Sequence, residues 1–233
     1  MKITVTSQVS RFSRFLYIFI MILFFLGCPS EDLPPELPSE DPQEFIDQGW
    51  AAFSSELFSD ALTSFDEALS ISPTNVSANM GMAWSMFFLD NGEDENSLLE
   101  MSNYFEKGII DSIWSADAFC GLVIVKFAQE NYSGAISYSD SLRQIDPLYV
   151  FQYYPELNYV DILIVKAQAQ FLTQNYLDAN LTIKQLNPSL FLDPDSDSWN
   201  VNGVQYNSFE VALSASISSL SLEYDSGGFI SNP

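Results

Sequence analysis

The chain has 233 residues, no histidine, and 31 acidic against 8 basic side chains, a formal net charge of −23 at neutral pH. That balance excludes a basic surface for nucleic acid or anionic lipid, and the missing histidines exclude His-based catalysis and His/Cys metal sites. With 47% hydrophobic residues the chain still has the material for a sizeable core.

Lys2, Arg11 and Arg14 are the only charges before Cys28, and Phe15 to Gly27 is an unbroken apolar run of 13 residues. A membrane-spanning helix needs about 20, so a basic stretch followed by this run predicts a secretory signal over residues 1–27. The run ends in Phe25-Leu26-Gly27-Cys28, a small residue directly before a cysteine. This resembles the lipobox of bacterial lipoproteins, which implies cleavage before Cys28 and a lipid on it. Phe25 and Leu26 depart from the usual pattern, and an uncleaved anchor or ordinary cleavage nearby are the alternatives. Pro29 to Pro42 then holds five prolines and five acidic residues, which predicts an extended tether over 28–43. The lipobox resemblance implies a bacterial cell-envelope location; no Asp follows Cys28, which favours the outer membrane, on its periplasmic or its surface side. Without the leader the charge is near −26, with 5 basic residues against 31 acidic. Cys120, in the apolar run Phe119–Val125, is then the remaining thiol; no disulfide is expected and the residue reads as packing.

From residue 44 the pattern is helical. Gly49, Trp50 and Phe53 precede a second segment in which Phe58, Ala61, Leu62, Phe65, Ala68 and Leu69 recur at helical spacing and stop at Pro73. The pattern returns in Tyr132, Ala135, Leu142 and Pro147, and more loosely in Tyr176, Ala179, Ile183 and Leu186. Between them lie an apolar segment around Met82-Ala83, a polar turn over Asp90–Asn96, and a helix with Tyr104, Phe105 and Gly108 on its apolar side. Tyr153-Tyr154-Pro155-Glu156 lengthens the link before Lys166-Ala167, and Pro188 closes the series. A helical pattern that recurs marks an array.

The spacing of Gly49, Phe58, Ala61, Phe65, Ala68 and Pro73 resembles the tetratricopeptide repeat, a 34-residue helix–turn–helix unit with small residues where its helices cross. Glu56 stands where the family has a turn glycine, and Ser139 replaces an aromatic in the third unit. The resemblance implies an all-α fold, an α-solenoid of about four helical hairpins over 44–188. It also implies a concave surface lined by the first helix of each hairpin. Phe53, Phe87, Phe127 and Phe171 share one repeat position, and Trp50 and Trp84 another, three residues earlier. Residues three apart share a helix face. Two readings stand: packing between neighbouring helices, or an aromatic strip in a peptide-binding groove, extended by Met80, Phe88 and Leu172.

Residues 189–233 depart from the pattern. Trp199–Tyr206 alternates about Asn202-Gly203, the signature of a tight hairpin. Asn207 with Glu210 reads as a helix start. Phe209, Ala212, Leu213, Ile217, Leu220 and Leu222 give a last helix an apolar side, ending before Gly227-Gly228. Hairpin and helix together are read as a cap. Asp193-Pro-Asp195-Ser-Asp197-Ser198 begins like a calcium loop but lacks the glycine at Ser198 and the glutamate at Val204, so it reads as an acidic turn. No nucleophile elbow, P-loop, dinucleotide fingerprint or Cys-x-x-Cys occurs, so no enzyme, catalytic residue, cofactor or metal is expected. The functional expectation is a lipid-anchored protein–protein interaction scaffold or assembly factor, holding a protein or peptide on its concave face. The alternative is a periplasmic small-molecule-binding component of an uptake system.

Overall fold

A computed structural model describes residues 41–90, 94–111 and 113–224, with Glu223 and Tyr224 described by backbone alone. The leader, Cys28, most of the tether, Asn91-Gly92-Glu93 and Gly227-Gly228 lie outside the described residues. The described part is mostly helical. Nine α-helices pack in sequence order: α1 (Pro42–Ser54), α2 (Phe58–Ile71), α3 (Val76–Asp90), α4 (Glu95–Gly108), α5 (Ser115–Ala128), α6 (Tyr132–Ile145), α7 (Tyr159–Leu172), α8 (Tyr176–Leu186) and α9 (Phe209–Tyr224). Contacts also join α1 to α3, α3 to α5, α5 to α7 and α7 to α9. Alternate helices thus form one continuous layer. A 3-10 turn (Pro188–Leu190) and two short strands, β1 (Trp199–Val201) and β2 (Val204–Tyr206), separate α8 from α9.

The first helix begins at Pro42, inside the segment read as tether. Asp41 accepts a hydrogen bond from the Gln43 amide at 2.9 Å, and a proline at the first helical position gives up no needed donor. Helix α2 buries Ala61, Phe65 and Ala68, three points of the predicted stripe, and ends before Pro73. The Phe65 ring fills the space left by two glycines. A Cβ on Gly49 of α1 would stand 2.6 Å from it, and one on Gly81 of α3 only 2.2 Å. One hairpin on, Phe105 of α4 lies as close to Gly121 of α5, at 2.3 Å. The sequence reading put the small slot of the second unit at Met82-Ala83. Ala83 is buried, but the residue whose missing side chain makes room is Gly81.

Three hairpins turn alike. Glu56, Glu130 and Gln174 have φ of 60°, 57° and 62°. In each, this residue's amide reaches the carbonyl of Phe53, Phe127 or Phe171, and the next amide reaches the residue before that phenylalanine. This is the left-handed helix stop that usually takes glycine. Each phenylalanine also meets the aromatic that opens the next helix: Phe53 with Phe58 at 5.1 Å, Phe127 with Tyr132 at 5.5 Å, Phe171 with Tyr176 at 5.2 Å. At Phe53, Phe127 and Phe171 the phenylalanine column therefore closes hairpins. Phe53 and Phe87 are buried, Phe127 and Phe171 half-buried. Left-handed backbone strains a residue with a Cβ, so Glu56→Gly, Glu130→Gly and Gln174→Gly are each expected to stabilise by about 0.5–1 kcal/mol after the entropic cost of glycine. Urea midpoints check this; a lowered midpoint contradicts it.

At the C-terminal end Trp199 pairs with Tyr206 and Val201 with Val204 around Asn202 (φ 50°) and Gly203 (φ 83°), the two positive values of a type I′ turn. The last helix starts one residue later than read. Ser208, not Asn207, offers its hydroxyl to the Val211 amide and donates to Glu210 at 2.6 Å. Ala212, Leu213, Ile217 and Leu220 of α9 pack with Ile164, Ala167, Ala179 and Ile183 of α7 and α8 in a second core cluster. Leu222, assigned to that apolar side, is 88% exposed, because it lies two residues, about 200°, round the helix from buried Leu220. In the acidic turn the Asp193 carbonyl accepts the Trp199 indole N–H at 2.6 Å.

Candidate functional site

The tryptophan positions come together, but not around open space. Trp50 sits on α1, its Nε1 donating to Ser77 Oγ on α3 at 2.9 Å. Trp84, on α3, lies edge-on to Phe105 at 4.9 Å and is fully buried. Its Nε1 finds no hydrogen-bond partner among the described residues. What covers both rings is the link between α6 and α7. Residues 146–158 double back as a strap, the Phe151 amide bonding the Leu157 carbonyl at 3.0 Å and the Tyr159 amide the Tyr149 carbonyl at 2.8 Å. Side chains alternate along it as on any extended segment: Leu148 and Val150 face out, while Tyr149 and Phe151 are buried. Phe151 stacks on Trp84 at 4.5 Å; Tyr153 stacks on Trp50 at 3.9 Å, and Trp114 stacks on Trp50 at 5.2 Å. Tyr154 meets Phe88 at 4.9 Å.

Of the residues read as a partner strip, Trp50, Trp84 and Met80 are therefore interior. Met80 fills the notch at Gly108, where an added Cβ would lie 2.4 Å from its sulfur. Phe88 is half-buried between Phe53, Phe58 and Tyr154. Leu172 alone of the strip is exposed, at 44%. In sequence Tyr153–Glu156 reads as a spacer, and nothing in it marks the strap. The alternation of Leu148, Tyr149, Val150 and Phe151 was the available signal.

The strap is pinned at Tyr149, whose hydroxyl donates to the Asp117 carboxylate on α5 at 2.6 Å. Cys120 lies one turn along the same helix, fully buried. Burial raises its thiol well above the usual range, with the Asp117 charge adding to the effect, so it stays protonated and packs as the sequence implies. Burial also raises Asp117 from the ordinary 3.8 to about 6, the Tyr149 bond working against the rise and Asp146 with it. A raised carboxyl keeps its proton in the folded state where the unfolded chain has lost it, so stability through this group falls as pH rises from about 4 to about 6. Asp117→Asn is expected to match the native chain below pH 4 and exceed it by about 3 kcal/mol above pH 6, from roughly two units at 1.36 kcal/mol each. Urea unfolding at several pH values checks this; a variant weaker at neutral pH contradicts it.

A groove opens between the end of α7 and the start of α9. It encloses about 420 Å³ and is walled by Phe171, Tyr206, Val211 and Ala215, with Glu210, Ser214 and Ser218 as its polar groups. Ser216, Ser219 and Ser221 return their hydroxyls to carbonyls of the preceding turn. Among the described residues no such bond engages Ser214 or Ser218. Glu210 carries a full negative charge, its carboxyl held below the usual range by the Ser208 hydroxyl and by its own backbone amide. The four-residue step from Glu210 to Ser214 to Ser218 places all three on one side of α9. That spacing was present in the sequence and went unread beside the apolar side.

The basic side chains are mostly spoken for. Lys107 donates to Asn79 at 2.6 Å, Lys126 to Ser102 at 2.6 Å, Lys166 pairs with Asp140, and Lys184 lies 4.4 Å over the Phe191 ring. Only Arg143 completes the basic set after Cys28. Among the described residues no group of three Cys, Asp or Glu side chains is placed to hold a metal, and no helix is long and apolar enough to cross a membrane. No family model and no curated protein sequence matches the chain.

Proposed function

We propose that this chain is a lipid-anchored scaffold or assembly factor of the bacterial cell envelope, an α-solenoid of tetratricopeptide type held by Cys28 and an acidic tether. The observation that carries the reading is the recurrence of one hairpin, with the same phenylalanine, left-handed turn and opening aromatic at Phe53-Glu56-Phe58, Phe127-Glu130-Tyr132 and Phe171-Gln174-Tyr176. Stacked hairpins bury their cores between neighbours and leave long helix faces for a partner. The face around Trp50 and Trp84 is filled by the strap, which lends no support to a small-molecule pore lined by tryptophans. Partner contact is assigned to the concave side beyond the strap, where Leu172 is exposed.

A photo-crosslinker at position 172 of the native, membrane-extracted protein tests this. The expected result is a discrete adduct with one envelope protein. A co-purifying metabolite with no protein adduct contradicts it. Mass spectrometry of the same material tests the anchor: an N-terminal, lipid-bearing Cys28 is expected, and an unmodified Cys28 contradicts it.

A further inference from the structure

We propose that the groove between α7 and α9 is a docking site for an arginine side chain presented on an apolar segment of a partner protein. This rests on the scaffold reading and narrows it to one place and one chemistry. Two aromatic rings, Phe171 and Tyr206, and one exposed carboxylate, Glu210, converge on the same space. A planar guanidinium stacks on rings and forks onto a carboxylate, where a lysine ammonium offers only a point charge. Ser208 and the residue's own amide take part of the Glu210 carboxylate, and its four lone-pair sites leave room for incoming N–H groups. Ser214 and Ser218 supply hydroxyl acceptors for the remaining guanidinium N–H groups.

The surroundings favour the same cation. The chain carries 31 acidic residues against 5 basic after Cys28, and Lys107, Lys126, Lys166 and Lys184 are engaged within the fold. A cationic segment is therefore drawn toward this surface and a second copy of the chain is repelled. Val211, one of the groove's walls, is 54% exposed, which suits a leucine beside the arginine.

The test is a chemical-shift titration of the ¹⁵N-labelled full chain in detergent micelles with the probe acetyl-Leu-Arg-Leu-Leu-amide. Saturable shifts confined to Phe171, Tyr206 and residues 209–218 are expected. Glu210→Gln, at a fully exposed position, keeps the fold and weakens the probe about tenfold, as loss of a charge-assisted pair does. The citrulline probe, equal in shape and uncharged, is weakened to the same degree. Diffuse shifts over the acidic surface, or equal binding of the citrulline probe, overturn the proposal.

The crosslinking experiment separates the two readings. A protein adduct at position 172 that survives Glu210→Gln, with no local probe binding, sinks the arginine site and leaves the scaffold standing. Glu210-dependent probe binding with no envelope partner sinks the scaffold and leaves the site.

Discussion

Replacing Phe151 with alanine is expected to remove about 3–5 kcal/mol of stability, the cost of a fully buried aromatic. In an ordinary linker a substitution stays within about 0.5 kcal/mol. The difference follows from where the ring lies: Phe151 is 0% exposed and stacks on Trp84, itself 0% exposed. Trp84→Ala is expected to cost a similar amount, and the double variant to cost about 1 kcal/mol less than the two losses added, because the pair shares one contact. Leu148→Ala and Val150→Ala, on outward-facing strap positions, serve as controls and leave the urea midpoint nearly unchanged. A mild Phe151→Ala, with full additivity to Trp84→Ala, contradicts the packing described for the strap. Domains of this size carry about 5–15 kcal/mol in total, so Phe151→Ala leaves a much-weakened but folded chain.

The second large effect reverses a general trend. Alanine exceeds glycine in helix propensity by about 1 kcal/mol, yet Gly81→Ala is expected to destabilise by about 2–3 kcal/mol through overpacking. The new methyl would stand 2.2 Å from the Phe65 ring, which is 0% exposed and pressed from the other side by Gly49. Phe65→Leu, which removes the ring edge, is expected to recover part of that loss when combined with Gly81→Ala, although it costs stability alone. Thermal unfolding of the two single variants and the double variant decides. Gly81→Ala at or above native stability contradicts the account. Gly134, whose added Cβ would meet only the Asn131 side chain, is the comparison position.

Helices were legible where one face alone is buried. The stripe Ala61-Phe65-Ala68 and its proline stop gave α2 nearly to the residue. The hairpin was equally plain, because Asn202-Gly203 is one of few pairs that accept two positive φ values. What periodicity cannot convey is which partner covers a face. Helices α3, α5 and α7 are apolar nearly all round, since they contact helices on more than one side. Their patterns therefore did not separate core from groove, and Trp50 and Trp84 fitted either reading. The deciding partners lie far along the chain: Phe151 is 67 residues from Trp84, and Tyr153 is 103 residues from Trp50. No local signal links them. The left-handed turns were hidden for a different reason: glutamate at 56 and 130 and glutamine at 174 give no hint of positive φ. Three repeats of the same offset from a phenylalanine were needed to show that the position, not the residue, dictates the turn.

The tryptophan face bears on the proposed function because a sealed face leaves Leu172 and the α7–α9 groove as the proposed places for a partner. Native-state hydrogen exchange at the Phe151 and Tyr159 amides, which join the strap's outgoing and returning arms, tests this most directly. If the strap is part of the core, both amides open only with the whole described fold, and their opening free energy equals that of global unfolding. If the strap is a lid over a tryptophan groove, both exchange through a local opening at far lower free energy while amides of α3 stay protected, and the account fails.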